Sequence, residues 1–213
     1  MVNESVRSSM HEEAQRHLSR VDRVLARVIR DVGPCTIRPR RNCQPFQSLV
    51  QAVAHQQLNG TAAQTILKRF IALFPGAKFP QPEHILAASD ERLRSAGLSR
   101  AKAAAIRDIA HKTVTGHVPT RREAARMGDD ELIARLTEIR GVGPWTVEMF
   151  LIFTLGRRDV LPVGDYGVRC GFARAYAWKE LPSPKELLAE GERWRPYRSI
   201  AAWYLWRVLD AKQ

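Results

Sequence analysis

The spacing of apolar residues constrains the fold of this 213-residue chain more than any other sequence feature. Apolar side chains recur every three or four residues along most of its length, as they do on the buried face of an α-helix. One such run is Phe46, Leu49, Val50 and Val53, which ends before Asn59-Gly60. No alternating strand pattern extends beyond four residues. The spacing therefore predicts an all-α protein of about nine or ten short helices.

Capping residues predict where several of these helices begin and end. A first helix carries Leu18, Val21, Leu25, Val28 and Val32 on one face and ends at Gly33-Pro34. Capping boxes or N-caps are predicted at Thr61, Ser99, Thr120 and Ser183, and Pro196 opens a last helix from Tyr197 to about Asp210. Many short capped helices are typical of a helical bundle, and two lobes are consistent with this pattern.

The charge balance predicts a polyanionic partner. The chain has 34 Lys and Arg against 22 Asp and Glu, a net charge of +12. Nucleic acid is the usual partner of such a protein, although anionic lipid is an alternative. No apolar run is long enough to cross a bilayer, and the polar N-terminus lacks a signal-peptide core. We therefore expect a cytoplasmic protein that does not bind membranes, associated with the nucleoid if it is bacterial.

The cysteines predict neither a disulfide framework nor a metal centre. Cys35, Cys43 and Cys170 are too few and too widely spaced for either one. We expect no cofactor, apart from a structural monovalent cation that the family resemblance described below implies.

The segment from Asp129 to Gly156 predicts a helical hairpin. An amphipathic helix (Leu132 to Ile139) meets Gly141-Val142-Gly143, and Pro144 then opens an almost wholly apolar helix. Glycines adopt backbone angles closed to other residues and let a phosphate approach closely. Outward-facing amides and the helix dipole would favour that anion. The alternative is a helix C-cap followed by a proline-started helix that binds no ligand.

The residues after the hairpin give the pattern its specificity. A short loop leads to LPVGDYGVR at 161–169, which contains Pro-x-x-Asp and then Arg. Other blocks are AVAHQQLNGTAA (52–63), LTEIRGVGPWTVEMFLIFTLGR (136–157) and RPYRSIAAWYLWR (195–207). In this order, from about Phe46 to Leu209, they resemble the helix-hairpin-helix DNA glycosylase superfamily. The fit is closest to its 3-methyladenine DNA glycosylase II branch.

This resemblance implies a single glycosylase domain with an active-site cleft between two helical lobes. One lobe would comprise residues 1–44 plus 157–213, and the other residues 45–156 with the hairpin at 130–156. The implied function is that of a monomeric monofunctional DNA glycosylase in base excision repair. It would hydrolyse the N-glycosidic bond of 3-methyladenine, 7-methylguanine and related purines flipped out of double-stranded DNA.

In this family the aspartate after the hairpin is catalytic, and it corresponds to Asp165. A cationic alkylated purine is already a good leaving group, so it needs little general-acid help. One carboxylate can stabilise the oxocarbenium-like sugar and orient or deprotonate a water molecule. An aspartate just before a helix is most often an N-cap. We expect Asp165 to have both roles.

The resemblance also implies hydrolysis without strand cleavage. Bifunctional relatives carry a lysine nucleophile two places after the last hairpin glycine, where this chain has Trp145. A tryptophan cannot form a Schiff base with the sugar, so AP lyase activity should be absent. No cysteine follows Cys170, so the iron–sulfur cluster of those relatives is also not expected.

Family positions imply the remaining site residues. The base pocket would include Trp145, Trp206 and Met149, the last where a well-known relative has tyrosine; each tryptophan could instead be a core residue. Leu58, between Gln57 and Asn59, would fill the gap left by the flipped base, or could simply end a core helix. DNA would also contact Gln57, Asn59, Gly141, Val142, Gly143 and Thr146. Backbone carbonyls of Thr137, Ile139 and Val142 would hold a structural monovalent cation.

Two departures and three alternatives accompany this interpretation. Gly164 stands where some relatives have a second aspartate, and we expect no counterpart of the N-terminal β-rich lobe of larger relatives. A non-catalytic helix-hairpin-helix module that recognises distorted DNA is the main alternative. An oxidised-base or mismatch glycosylase of the same fold and a helical protein–protein scaffold are the others.

Six arginines lie near the proposed site: Arg140, Arg157, Arg158, Arg169, Arg195 and Arg198. We expect only a minority of them to contact phosphate.

Overall fold

The computed structural model describes residues 4–40, 42–56, 58 and 60–210, with the backbone alone for residues 4–9 and 60. These residues form thirteen α-helices and no strand, so the all-α prediction is confirmed. The helices are α1 Glu4–Val21, α2 Arg23–Val32, α3 Pro45–His55, α4 Gly60–Ala72, α5 Pro82–Ala87, α6 Asp90–Ser95, α7 Arg100–Val114, α8 Arg121–Ala124, α9 Asp129–Leu136, α10 Pro144–Phe150, α11 Tyr166–Ala175, α12 Pro184–Gly191 and α13 Arg198–Asp210. A π-helical turn, Leu151–Leu155, continues α10, and a 3-10 turn, Glu192–Trp194, follows α12.

The helices outnumber the nine or ten expected from apolar spacing for two reasons. First, α5, α6 and α8 are only six, six and four residues long, too short to show a helical period. Second, the predicted first helix is two helices separated at Asp22. The Asp22 backbone is extended (φ −147°, ψ 109°), and its side chain accepts hydrogen bonds from the Val24 and Leu25 amides. Asp22 therefore begins α2 instead of continuing α1.

Most of the predicted helix starts agree with the structure. Ser99, Thr120 and Ser183 are N-caps whose side chains accept from the backbone three residues on, and the last two form capping boxes. The box predicted at Thr61 is wrong, because α4 already begins at Gly60. The last helix begins at Arg198, one residue later than predicted.

The chain divides into two compact units. Unit 1 contains the described residues up to Pro39 and those from Gly156 onward. Its core is rich in large side chains that are less than 2% exposed, among them Leu18, Leu25, Phe172, Trp194 and Tyr204. The pair α11 and α13 forms the most extensive helix contact in this unit.

Unit 2 comprises residues Arg40–Leu155. In this unit α7 packs against α3 and α5, and α3 also packs against α10. Fully buried side chains such as Leu49, Val53, Phe70, Ile106 and Ile109 form a separate core. Each unit therefore buries apolar surface of its own.

Within the described part of the chain, no helix combines the length and the apolar character that a membrane span requires.

Candidate active site

Asp165, the predicted catalytic residue, is the N-cap of α11. Its backbone is extended (φ −71°, ψ 121°), and its Oδ1 accepts a 2.7 Å hydrogen bond from the Val168 amide. A second donor, Nε1 of the Trp206 indole, lies 2.9 Å from the same oxygen. Two donors thus fix one oxygen of a half-buried carboxylate. The expected capping role is confirmed.

Two glycines on α11 allow this arrangement. A Cβ placed on Gly171 would stand 2.0 Å from the Leu205 carbonyl oxygen, so α11 and α13 meet backbone to backbone there. One turn earlier, a Cβ on Gly167 would lie 3.1 Å from both Asp165 Oδ1 and Trp206 Cδ1. Residues four apart share one helix face. The glycine face of α11 therefore brings the indole of α13 to the carboxylate.

The sequence did not reveal this role of Trp206. The resemblance implied that Trp206 lines the base pocket, and the structure adds a hydrogen bond to Asp165, 41 positions away in the chain. A half-buried indole N–H normally requires such a partner. Gly167 and Gly171 were the available signal, because small residues four apart on a helix allow close helix packing.

The hairpin turn depends on Gly141 more than on Gly143. Gly141 has φ +74°, a conformation that favours glycine, and the Val142 amide donates to the Ile139 carbonyl at 3.0 Å. Gly143 has φ −99° and is the N-cap of α10, so its backbone angles are open to any residue. The predicted need for unusual backbone angles is therefore correct at Gly141 and wrong at Gly143. A Cβ on Gly143 would meet no atom within 4 Å, which leaves space beside the α10 start.

Helix α10 has one buried face and one half-buried face. Trp145 and Met149, two of the predicted pocket residues, lie four positions apart and are both half-buried. Thr146 and Val142 are 1% and 4% exposed. The Thr146 hydroxyl accepts from the Gln56 side chain at 3.1 Å. Both predicted DNA contacts thus have buried side chains, and Thr146 is held inside unit 2.

The predicted gap-filling segment follows α3. Leu58 is 39% exposed, unusual for a leucine, and its amide donates to the His55 carbonyl at 3.3 Å. Gln57 and Asn59, the flanking predicted contacts, lie outside the described residues. Leu58 therefore lies at the surface just beyond the helix end.

Several arginines that were candidates for phosphate contacts have partners within unit 1. Arg198 forms a largely buried ion pair with Asp159 at 2.8 Å, and Arg195 pairs with Asp159 at 2.6 Å and with Glu192 at 2.7 Å. The Nε of Arg169 donates to the Pro182 carbonyl at 2.7 Å. Arg140, in unit 2, is exposed beside the hairpin.

The described residues contain no group of three or more His, Cys, Asp or Glu side chains arranged to hold a metal ion. Any cation at the hairpin would depend on backbone oxygens. Among the three predicted carbonyls, that of Ile139 accepts the Val142 amide. A carbonyl oxygen has two lone pairs, so this bond is compatible with a further ligand.

A model of the HhH-GPD superfamily base excision DNA repair proteins matches residues 50–196. The chain belongs to this family. The match includes the hairpin, α10 and Asp165.

The similarity to individual proteins covers nearly the whole chain. DNA-3-methyladenine glycosylase 1 of Schizosaccharomyces pombe is 40% identical over 92% of this chain and 86% of its own. The alkylbase DNA glycosidase-like protein mag2 of the same organism is 32% identical over 95% of both chains. A solved structure of S. pombe 3-methyladenine DNA glycosylase (Mag1) in complex with abasic DNA has a TM-score of 0.86 at 39% identity. It covers 94% of this chain and 100% of that one.

Proposed function

We propose that this protein is a monofunctional DNA glycosylase of base excision repair, acting on 3-methyladenine and related alkylated purines in double-stranded DNA. The observation that carries the proposal is the carboxylate of Asp165, held through one oxygen by the Val168 amide and the Trp206 indole. Relatives named as 3-methyladenine glycosylases support the substrate class.

The proposed reaction is hydrolysis of the bond between the base and C1′ of the sugar. The positively charged purine departs with the bonding electrons as a neutral base, which leaves an oxocarbenium-like sugar. Asp165 stabilises this cation electrostatically and accepts a proton from the attacking water, whose oxygen forms the new bond to C1′. Because two donors fix the carboxylate, it needs little reorganisation as charge develops.

Trp145 and Met149 are the proposed pocket residues of α10. A flipped base has lost its stacking partners, which costs a few kcal/mol. Contact with the face of a half-buried indole recovers part of this energy, and a cationic purine gains a further cation–π attraction. Methionine at position 149 offers a flexible, polarizable contact instead of a flat ring.

We further propose that the enzyme leaves the DNA strand intact. A lyase needs an amine that attacks C1′ and forms a Schiff base. Trp145 occupies the position of the family's lysine nucleophile, and an indole nitrogen cannot provide this chemistry. The product would be an abasic site in a continuous strand.

The hairpin carbonyls of Thr137, Ile139 and Val142 remain the proposed ligands of a monovalent cation. Their type fits, because carbonyl oxygens are suited to hard cations. Such an ion would add positive charge near the hairpin amides that we propose contact a phosphate.

Incubation of the protein with methylated duplex DNA tests the function, with chromatography of the released bases and denaturing electrophoresis of the strands. We expect free 3-methyladenine and intact strands that break only after alkali treatment. Asp165→Asn keeps the capping oxygen but removes the charge, so it should abolish release while DNA binding survives. Asp31→Asn, at an exposed position in unit 1, is the matched control.

Each other outcome has a distinct meaning. Full release by Asp165→Asn would overturn the mechanism. Binding of wild-type protein without release of any base would favour the non-catalytic DNA-binding module. Strand cleavage that borohydride traps as a covalent protein–DNA adduct would overturn the monofunctional assignment.

A further inference from the structure

One face of α7 supports the end of α3. Lys102 lies near the start of α7, and its ammonium group donates to the Ala54 carbonyl at 2.9 Å and to the Gln56 carbonyl at 2.7 Å. These carbonyls belong to the last turn of α3 and its C-cap, where helical partners run out. Partial burial lowers the pKa of the Lys102 ammonium from its ordinary value. The half-buried side chain thus holds the segment that leads to Leu58 through two hydrogen bonds.

The same face of α7 supports the hairpin. Residues 102, 105 and 108 follow one another at intervals of three and share this face. Asp108 Oδ2 accepts the Arg140 amide at 2.8 Å. A Cβ on Gly141 would lie 2.8 Å from the Ala105 Cβ, so the turn packs directly on the helix.

A side chain then joins the two supported segments to each other. Nε2 of Gln56 donates to the Gly141 carbonyl at 3.0 Å and to the Thr146 hydroxyl at 3.1 Å. The first acceptor lies in the hairpin turn and the second in the first turn of α10. The backbone carbonyl of the same glutamine accepts Lys102. Gln56 is therefore the link between α7, the α3 end and the hairpin.

We propose that Lys102 and Gln56 are positioning residues that join the α3 end and the hairpin into one preorganised DNA-recognition element. This inference rests on the proposed function, in which both segments contact DNA. Helix α7 is the rigid base of the element. It sets the spacing between the exposed Leu58 and the hairpin amides without itself contacting the damaged base.

Preorganisation matters because the turn that carries Leu58 would otherwise be ordered only on binding. Ordering a segment in the complex costs conformational entropy, and a segment already fixed avoids that cost. A fixed Leu58 increases the affinity for damaged DNA, in which a gap must be filled. It increases the affinity for undamaged DNA much less, because that duplex is bound mainly through phosphates. Loss of the link should therefore reduce discrimination more than general affinity.

The test measures affinity for two duplexes, one undamaged and one containing a tetrahydrofuran abasic-site analogue. Lys102→Met and Gln56→Met remove the donors while keeping an unbranched chain. Lys112→Met, on the same helix but ten residues away, is the control for loss of one cation. Thermal unfolding of every variant checks that it is folded.

We expect the preference for the abasic duplex to fall about tenfold in Lys102→Met and in Gln56→Met. In Lys112→Met it should change by less than about twofold. The double variant should lose no more than the worse single variant, since both belong to one network. If Lys102→Met is unfolded, Gln56→Met alone decides the outcome.

Losses that match those of Lys112→Met, or that are additive in the double variant, would overturn the inference. The proposed catalytic function is tested separately, by measuring base release from methylated DNA with the wild-type protein. Release without any change of preference in the variants rejects only the positioning role. A lost preference without release by the wild type rejects only the catalysis.

Discussion

The indole Nε1 of Trp206 donates a 2.9 Å hydrogen bond to Oδ1 of Asp165. This contact meets the same oxygen that accepts the Val168 amide, and the two hydrogen bonds together orient the carboxylate. A hydrogen bond to a charged group is worth about 1.5–3 kcal/mol. Trp206→Phe should therefore lower kcat for base release at least about tenfold. KM should change little, since the loss falls on the transition state.

Trp178→Phe is the control for this substitution. Trp178 is 38% exposed, in the same unit, and its ring packs edge-on against Phe172. We expect nearly wild-type kcat in this variant and similar melting temperatures in both. A Trp206→Phe enzyme with unchanged kcat would remove the orienting role of the indole.

The two hairpin glycines should respond differently to alanine. Gly141→Ala would place a Cβ at a positive φ and against Ala105, so the free energy of unfolding should fall by about 1–2 kcal/mol. Gly143→Ala has neither problem, so its stability should stay within about 0.5 kcal/mol of wild type. Its new methyl group, however, would occupy the space we propose for a phosphate, and DNA affinity should fall about tenfold. Denaturant titration and DNA-binding measurements on both variants test these expectations. A larger loss of stability in Gly143→Ala than in Gly141→Ala would contradict them.

Asp22 should contribute a pH-dependent part of the stability. Burial alone would raise the pKa of Asp22, but hydrogen bonds from Trp194, Tyr176 and the Leu25 amide, with the charge of Arg193, outweigh burial and lower it below 3.8. For a lowered pKa, the contribution is fully present above the unfolded value near 3.8. It is lost as the pH falls through the folded value.

Asp22→Asn should therefore lower the free energy of unfolding at neutral pH by about 1–3 kcal/mol. Urea unfolding between about pH 2 and pH 7 should show a smaller loss toward acid in Asp22→Asn than in wild type. Asp31→Asn, at an exposed carboxylate, should keep the wild-type pH dependence. An equally steep acid limb in Asp22→Asn would show that other groups cause it.

DNA affinity should fall with rising salt, and arginines should differ in their share of this effect. We expect a slope of log affinity against log salt of about −3 or steeper, corresponding to three or more neutralised phosphates. Arg140→Gln should reduce the magnitude of the slope by about 1, because Arg140 is exposed beside the hairpin. Arg195→Gln should leave the slope unchanged and lower stability instead, since its guanidinium pairs with Asp159 and Glu192. Equal slopes for both variants would contradict this division.

Local features of the sequence predicted much of the fold. Ser183 and Thr120 begin helices because their side chains satisfy amides three residues away, a relationship within one turn. Gly141, at a helix end, and the capping role of Asp165, just before a helix, were also recognised from their immediate neighbours along the chain. The catalytic role of Asp165 came instead from the family resemblance.

Contacts between distant segments were not predictable in this way. The bond from Trp206 to Asp165 and the bonds from Lys102 to the α3 carbonyls join residues 41 to 48 positions apart. Neither donor differs in the sequence from an ordinary core tryptophan or surface lysine. Asp22 was missed because an aspartate between apolar positions also suits the solvent face of a continuous helix. Its partners Tyr176 and Trp194 lie more than 150 positions away.

The backbone-to-backbone meeting of α11 and α13 at Gly171 has a consequence for engineering. Because no side chain lies in this contact, no rotamer change can absorb a substitution, and even alanine must displace α11 as a whole. Asp165, the N-cap of α11, would move with the helix. Libraries that seek new base preferences can therefore vary positions 145 and 149 on α10, but position 171 should stay glycine in every active clone.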